Sequence, residues 1–118
     1  MCSSDLCLNY LLAFRAFSED VMRTINKNLD ENQHAICSVM GIAGEAGELL
    51  DYFKKHFFQG HHFDKEKVID ELGDIMFYIT YLCELYCIDM GEVMYKNIEK
   101  RKQRYPQGFD STRSKNRE

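Results

Sequence analysis

The sequence predicts an all-α protein with a four-helix bundle-like fold, and three observations support this class. The chain has 118 residues, the length of one domain, and it contains a single proline. Apolar residues make up 45% of the chain, which excludes wholesale disorder. These residues recur in long runs at the three- and four-residue spacing that is typical of amphipathic helices. Four such runs are present, and each predicts one helix.

The first two predicted helices cover residues 5–28 and 33–56, after a frayed segment at residues 1–4. A cluster of asparagine and aspartate residues separates the two helices. On helix two, at 100° per residue, an apolar stripe is expected to face the core: Ile36, Val39, Met40, Ala43, Ala46 and Leu50. The opposite sector, where the chemistry is expected, holds His34, Gly41, Glu45, Glu48, Tyr52 and Lys55.

The third predicted helix covers residues 65–86 and starts after Asp64, a residue type that caps helices well. Its expected core stripe consists of Ile69, Leu72, Met76, Ile79 and Cys83. From Ile75 onward this helix is apolar almost all round, and such a helix is usually buried inside something larger than one thin bundle. We therefore expect it to reach a subunit interface in a homodimer or homotetramer that completes the fold.

The fourth predicted helix covers residues 90–104, with Asp89 as its cap. Tyr105 precedes Pro106, and a residue in that position is biased away from helical backbone angles. The helix is therefore expected to end there.

Charge is distributed unevenly along the chain, whose net charge is −4. Residues 1–95 contain 7 basic and 16 acidic residues, whereas residues 96–118 contain 8 basic and 3 acidic residues. An acidic body with a basic end suits a metal site whose substrate is itself polyanionic, and it does not suit a protein that binds duplex nucleic acid. We expect one all-α domain over residues 1–106, followed by a basic tail over residues 107–118 that closes over the substrate as a lid.

The cysteines and the start of the chain predict the compartment. The five cysteines are odd in number and show no Cys-x-x-Cys spacing, so free thiols in a reducing cytoplasm are the simplest interpretation. The N-terminus lacks a basic segment, and Asn9 and Arg15 interrupt its apolar run. Neither a signal peptide nor a membrane span is therefore expected.

Two pairs of acidic residues are the strongest candidates for the chemistry. Glu45 and Glu48 lie three residues apart in helix two, and Glu71 and Asp74 repeat this spacing in helix three. Residues three apart share one helix face, so each pair places two like charges together, at a cost that a bound divalent cation relieves. Four acids without a histidine favour a hard ion such as Mg²⁺, which binds alongside substrate phosphates. The alternative is a solvated acidic stripe on a surface helix.

These motifs resemble the ExxE…ExxD signature of MazG-like nucleoside triphosphate pyrophosphohydrolases, which belong to an all-α superfamily. The resemblance is carried by four segments and three single residues: 44–49, 71–75, 97–100, 104–109, Ser114, Asn116 and Arg117. It covers residues 33–117.

The resemblance implies an Mg²⁺-dependent hydrolase, with Mn²⁺ able to substitute, that cuts a (deoxy)nucleoside triphosphate between its α and β phosphates. The products would be the monophosphate and pyrophosphate, in a role that controls or cleans the nucleotide pool. The implied metal ligands and catalytic residues are Glu45, Glu48, Glu71 and Asp74. The implied substrate contacts are Lys55, Asn97, Lys100, Arg104 and Tyr105, with His34 as a contact to the base or sugar.

Two other functions stay open at this point. A non-catalytic helical dimer with a regulatory or binding role would be expected to lose at least one of the four acids, and all four are present. A di-metal carboxylate bundle would use Glu-x-x-His motifs on two helices, and only Glu31 with His34 fits that spacing. The preferred base and the number of metal ions are open as well.

Overall fold

The computed structural model describes residues 4–117 of the chain, with side chains from residue 9 onward. Within that range the chain forms five helices and no strand: α1 (Ser4–Thr24), α2 (Glu31–Phe58), α3 (Lys65–Leu85), α4 (Met90–Arg104) and α5 (Ser111–Lys115). The all-α class and the four predicted helices are confirmed, and α5 is an addition to them. The predicted fraying falls outside the described range except at Ser4, where α1 begins. The chain divides into two compact units, with the boundary between Cys87 and Ile88.

Aspartate side chains cap four of the five helices at their N-termini. Asp64 Oδ1 accepts a hydrogen bond from the backbone N–H of Glu66 at 3.0 Å, and Asp89 Oδ1 accepts one from Gly91 at 2.9 Å. Both predicted caps are therefore confirmed. Such caps satisfy donors that have no partner inside the helix and contribute about 1 kcal/mol each. At its other end α4 stops at Arg104, as the following Tyr-Pro sequence predicts.

The start of α2 lies two residues earlier than the apolar periodicity indicates, because a capping box fixes it. Asp30 Oδ1 accepts from the backbone N–H of Gln33 at 2.8 Å, and Gln33 Oε1 accepts from the Asp30 N–H at 3.0 Å. The two side chains thus satisfy two backbone donors reciprocally. The Asp-x-x-Gln spacing was the sequence signal for this start.

In the first unit, α3 packs against both α1 and α2. Gly41 lets the Tyr78 ring lie directly on the α2 backbone, because a Cβ built on Gly41 would overlap three atoms of that ring. Nearby, the buried Ser38 donates its hydroxyl to the Ala35 carbonyl at 2.7 Å. On α3 the side chain of Tyr81 is only 3% exposed. The α2–α3 pair is therefore held by close contacts between small and aromatic residues.

The apolar stripe of α2 does not face the core of the chain, and this sequence-based prediction is wrong. Its large members are 54–72% exposed: Ile36, Val39, Met40 and Leu50. The face turned to α3 carries instead Ser38, Gly41 and Glu45. On α3 the predicted stripe is buried at Cys83, but three members are 45–51% exposed: Ile69, Leu72 and Met76. Helical periodicity identifies an apolar face, but it does not identify what covers that face.

In the second unit, a tight turn connects α4 to α5. Gly108 adopts a φ of 94°, a left-handed conformation that costs little for glycine, and its N–H donates to the Tyr105 carbonyl at 3.2 Å. The Phe109 ring packs against Tyr105, with centroids 5.7 Å apart. Asp110 then caps the first turn of α5. The predicted basic tail over residues 107–118 therefore contains a turn and a short helix, and its role as a lid stays a prediction.

We expect the substitutions Gly41→Ala and Gly44→Ala to affect stability in opposite directions. Both glycines lie inside α2, where glycine costs about 1 kcal/mol relative to alanine. A Cβ on Gly44 meets no atom within 4 Å, so Gly44→Ala should raise the free energy of unfolding by up to about 1 kcal/mol. A Cβ on Gly41 overlaps the Tyr78 ring, and such overpacking typically costs about 1–3 kcal/mol. Gly41→Ala should therefore be the less stable variant in urea denaturation.

The double variant Gly41→Ala/Tyr78→Ala tests the cause, because removing the ring removes the overlap. Adding Gly41→Ala should cost less free energy in the Tyr78→Ala background than in the wild-type chain. Equal costs in both backgrounds would contradict the direct contact.

Candidate metal centre

Three carboxylates from two helices converge in the first unit. Glu45 lies on α2, and Glu71 and Asp74 lie on α3. One oxygen of each carboxylate lies within 4.8 Å of the other two. The sequence places Glu71 and Asp74 on one face of α3 because they are three residues apart. The packing of α2 on α3 then adds Glu45 from the opposite side.

The electrostatics of this cluster are unfavourable while it holds only protein atoms. Burial is the largest cause that raises the pKa of Glu45 above its ordinary value of 4.5, followed by the negative charges of Asp74, Glu71 and Glu48. A hydrogen bond between the Glu45 and Glu71 carboxyls adds a smaller contribution in the same direction. Each of these causes disfavours the ionised form of Glu45. The cluster therefore favours either a bound proton or a bound cation.

Glu71 supplies an independent indication that a cation fits this cluster. Its Oε2 atom is buried and has no hydrogen-bond partner among the described residues. A buried carboxylate oxygen without a donor is costly. A cation placed among the three carboxylates would satisfy this oxygen and relieve the repulsion at the same time. Oxygen donors of this kind suit hard divalent ions such as Mg²⁺.

Glu48, the fourth predicted ligand, lies outside the group of three. It is exposed on α2, one turn beyond Glu45, and it is near enough for its charge to raise the pKa of Glu45. The structure thus brings three of the four predicted acids together and leaves the fourth beside them. The assignment of all four as ligands stays a prediction.

Lys55 lies on the same face of α2 as Glu48, seven residues further on, which is about 10 Å along the helix axis. Its Nζ forms an ion pair with Asp51 Oδ2 at 2.9 Å. The hydrogen bond from Lys55 is the main cause that lowers the pKa of Asp51, and the same bond raises the pKa of Lys55. The four-residue spacing of Asp51 and Lys55 is the usual sequence signal for such a pair on one helix face.

His34 takes part in the packing of α2 on α3. Its Nδ1 atom forms a hydrogen bond with the hydroxyl of the buried Tyr81, and the two rings meet edge to face with centroids 5.8 Å apart. Burial is the main cause that raises the pKa of Tyr81. The contact gives His34 a structural role, and its contact with a base or sugar stays a prediction.

The other predicted substrate contacts lie in the second unit. Asn97 on α4 accepts a hydrogen bond from Arg101, and Lys100 is exposed on the same helix. Arg104 is the last residue of α4, and Tyr105 caps that end and donates its N–H to the Arg101 carbonyl at 2.8 Å. These residues are therefore neighbours along one stretch of chain. Their contact with a substrate stays a prediction.

The membrane and compartment predictions have separate outcomes. None of the described helices is both long enough and apolar enough to cross a membrane. The thiols of Cys37, Cys83 and Cys87 are free. The cytoplasmic location stays a prediction.

Comparison with known proteins gives one match. The sequence model of a family described as the MazG nucleotide pyrophosphohydrolase domain matches residues 33–109. The matched region contains all four acids of the two pairs and ends at Phe109. Neither a curated protein nor a solved structure matches the chain.

We expect Glu45→Gln to raise the melting temperature of the metal-free protein at neutral pH. The pKa of Glu45 is higher in the folded chain than in the unfolded chain, so folding takes up a proton between those two values. Stability therefore falls as the pH rises through that window. The gain in melting temperature from Glu45→Gln should be complete above the pKa that Glu45 has in the folded chain. It should vanish below about pH 4.5, where Glu45 holds its proton in both the folded and the unfolded chain.

Thermal unfolding in EDTA across this pH range measures the effect. Glu84→Gln is the matched control, because Glu84 is an exposed glutamate of α3 that lies ten residues from Asp74, or about 15 Å along the axis. A pH-independent difference between wild type and Glu45→Gln would contradict the repulsive cluster.

Proposed function

The chain belongs to the MazG nucleotide pyrophosphohydrolase family, and from this premise we propose that it cuts (deoxy)nucleoside triphosphates between the α and β phosphates. The products are the nucleoside monophosphate and pyrophosphate. The observation that carries the proposal is the convergence of Glu45, Glu71 and Asp74 from two helices inside the matched region. A role in controlling or cleaning the nucleotide pool follows from this activity and rests on the family alone.

We propose Mg²⁺ as the cofactor, with Mn²⁺ able to replace it. When bound, the ion neutralises phosphate charge and orients the phosphoryl group that is attacked. The chain would hold it through Glu45, Glu71 and Asp74, with Glu48 contributing from one turn further along α2. The raised pKa of Glu45 and the unpartnered Glu71 oxygen support this choice. One of the four carboxylates would also orient the attacking water by accepting its hydrogen bond.

The remaining site residues would bind the triphosphate and the nucleoside. Lysine and arginine donate charge-assisted hydrogen bonds to phosphate oxygens, and this is the proposed role of Lys55, Lys100 and Arg104. Asn97 and Tyr105 would contribute neutral hydrogen bonds, and His34 would contact the base or sugar. The segment 107–118 would close over the bound substrate and exclude bulk water.

The alternative with a di-metal carboxylate bundle receives no support from the described residues. Their only group of three metal-binding side chains consists of carboxylates and includes neither Glu31 nor His34. The non-catalytic dimer would be expected to lose at least one of the four acids, and all four are present. The pyrophosphohydrolase is therefore the single proposed function.

We propose that the protein works as a homodimer or homotetramer. The large residues of the apolar stripe of α2 and three of the five members of the predicted stripe of α3 are exposed. Exposed contiguous apolar surface is unusual on a monomeric protein and marks interaction sites. Each fully buried aliphatic side chain contributes about 1.5–3 kcal/mol. Burying these stripes against a second copy would therefore add considerable stability to a chain of this length.

With Mg²⁺ present, the protein should convert a nucleoside triphosphate to monophosphate and pyrophosphate, with little diphosphate. Glu71→Gln and Asp74→Asn should each lower kcat by about a hundredfold or more, because each removes a charge from the proposed metal centre while keeping the side-chain shape. Glu84→Gln is the control and should keep the wild-type rate. The products are separated by ion-exchange chromatography.

Two results would contradict the catalytic proposal. Orthophosphate as the main product would move the cut to the bond between the β and γ phosphates. A wild-type kcat in both Glu71→Gln and Asp74→Asn would show that the reaction does not need these two carboxylates.

Light scattering at micromolar concentration should give at least the mass of a dimer. Met40→Glu and Leu50→Glu place a charge on the exposed stripe of α2, where burial against a second copy would become costly, so each should shift the mass towards the monomer. Tyr95→Glu is the control, because Tyr95 is equally exposed but lies on α4. A monomeric wild-type protein would contradict the proposed assembly.

A further inference from the structure

The second unit contains an open cavity of about 290 Å³ that is lined by arginine side chains. Three arginines line it together with two neutral polar residues: Arg104, Arg113, Arg117, Thr112 and Asn116. Arg104 is the last residue of α4, and the other four residues belong to α5 or directly follow it. The volume is at the lower end of the range for ligand clefts, which is about 300–1,000 Å³.

The chain builds this cavity from local rules. Arg113 lies within α5, and Arg117 directly follows the cap of that helix at Asn116. The turn at Gly108 and the packing of Phe109 on Tyr105 bring α5 back to the end of α4. Arg104 thereby joins the other two arginines at one cavity.

The three arginines have no counter-charge among the residues that the structure describes. That part of the second unit holds four carboxylates, and each is engaged elsewhere. Asp89 and Asp110 cap α4 and α5. Glu92 pairs with Lys96 at 3.1 Å, and Glu99 pairs with Lys102 at 3.4 Å. No ion pair to any of the three arginines is formed within residues 9–117.

A structural role at the helix ends does not explain this arrangement. Basic residues in the last turn of a helix interact favourably with its dipole, and Arg104 and Arg113 hold such positions. Three other basic residues hold the same kind of position without lining the cavity: Arg101, Lys102 and Lys115. The three arginines that line this cavity also carry like charges, which repel one another. An anion bound in the cavity would remove that repulsion.

We propose that this cavity binds a phosphate chain, and that Arg113 is a further substrate-binding or product-binding residue. Guanidinium groups present paired N–H donors that match phosphate oxygens. The Thr112 hydroxyl and the Asn116 amide add neutral donors at the same cavity. A diphosphate or triphosphate group has enough negative charge to match three arginines, whereas a carboxylate does not.

The phosphate chain has two possible sources in this protein. It is either the triphosphate of the substrate or the pyrophosphate that is released. The assignment of Arg113 to substrate or product binding rests on the proposed function, whereas the cavity and its charge are properties of the second unit alone. The experiment therefore needs one measurement that does not depend on turnover.

Calorimetric titration of the full-length protein with inorganic tripolyphosphate in EDTA provides that measurement. Without a divalent cation the acidic cluster repels the probe, and the arginine cavity should bind it. Arg113→Gln should weaken binding by about tenfold or more, which is the usual effect of losing one hydrogen bond between charged groups. Arg113→Lys should recover part of the affinity, since lysine keeps the positive charge but lacks the paired N–H donors of the guanidinium group. Lys115→Gln is the matched control on the same helix and should bind as the wild type does.

No binding by the wild-type protein would overturn the proposal, as would equal weakening in Arg113→Gln and Lys115→Gln. Circular dichroism of each variant checks that α4 and the rest of the helices are retained. Binding that persists in a chain without pyrophosphohydrolase activity would leave the phosphate-binding cavity standing, and it would refute the proposed function together with the role of Arg113 in that reaction.

Steady-state kinetics then distinguishes the two sources. If the cavity holds the substrate triphosphate, Arg113→Gln should raise KM about tenfold, because the bound substrate loses one charge-assisted phosphate contact. If it holds released pyrophosphate, KM should stay unchanged and inhibition by added pyrophosphate should weaken. An Arg113→Gln variant with unchanged KM and unchanged inhibition would overturn the proposal.

Discussion

Repulsion among carboxylates at the α2–α3 contact is the constraint on which the rest of the first unit depends. The helices must hold Glu45 against Glu71 and Asp74, although each negative charge makes the next one less favourable. Other contacts of the same helix pair have to offset this cost. Tyr78 lies on the backbone at Gly41, and Tyr81 is buried against His34. The aromatic contacts thus stabilise the helix pair that carries the acidic cluster.

The same constraint explains why the apolar stripe of α2 is exposed. The α2 helix cannot turn both Glu45 and its apolar stripe towards α3, because the two lie on opposite sides of the helix. The chain turns Glu45 inward and leaves Leu50 and its neighbours exposed. In the proposed assembly a second copy covers the stripe and so fixes α2 from outside. Subunit association and the position of Glu45 would then depend on each other.

The two units carry opposite charges at their polar clusters, and each cluster lacks a partner in the described chain. The first unit has acids with an unpartnered oxygen on Glu71, and the second has arginines without a described counter-ion. A nucleoside triphosphate with a divalent cation contains both kinds of partner. The proposed substrate therefore contains a possible partner for each of the two clusters. The buried Glu71 oxygen costs stability while it has no partner, and a bound cation would turn this cost into a favourable contact.

By itself the sequence determined the features that depend on near neighbours in the chain. Spacing alone gave the four long helices, the caps at Asp64 and Asp89 and the pairing of Glu71 with Asp74, because three to four residues make one helical turn. Only the tertiary structure decided which face of α2 is packed, since periodicity reports that a face is apolar and not what lies against it. It also brought Glu45 to the α3 acids and left Glu48 beside them. In the second unit it placed Arg104 with Arg113 at one cavity, because a turn at Gly108 reverses the chain over a distance that no helical spacing describes.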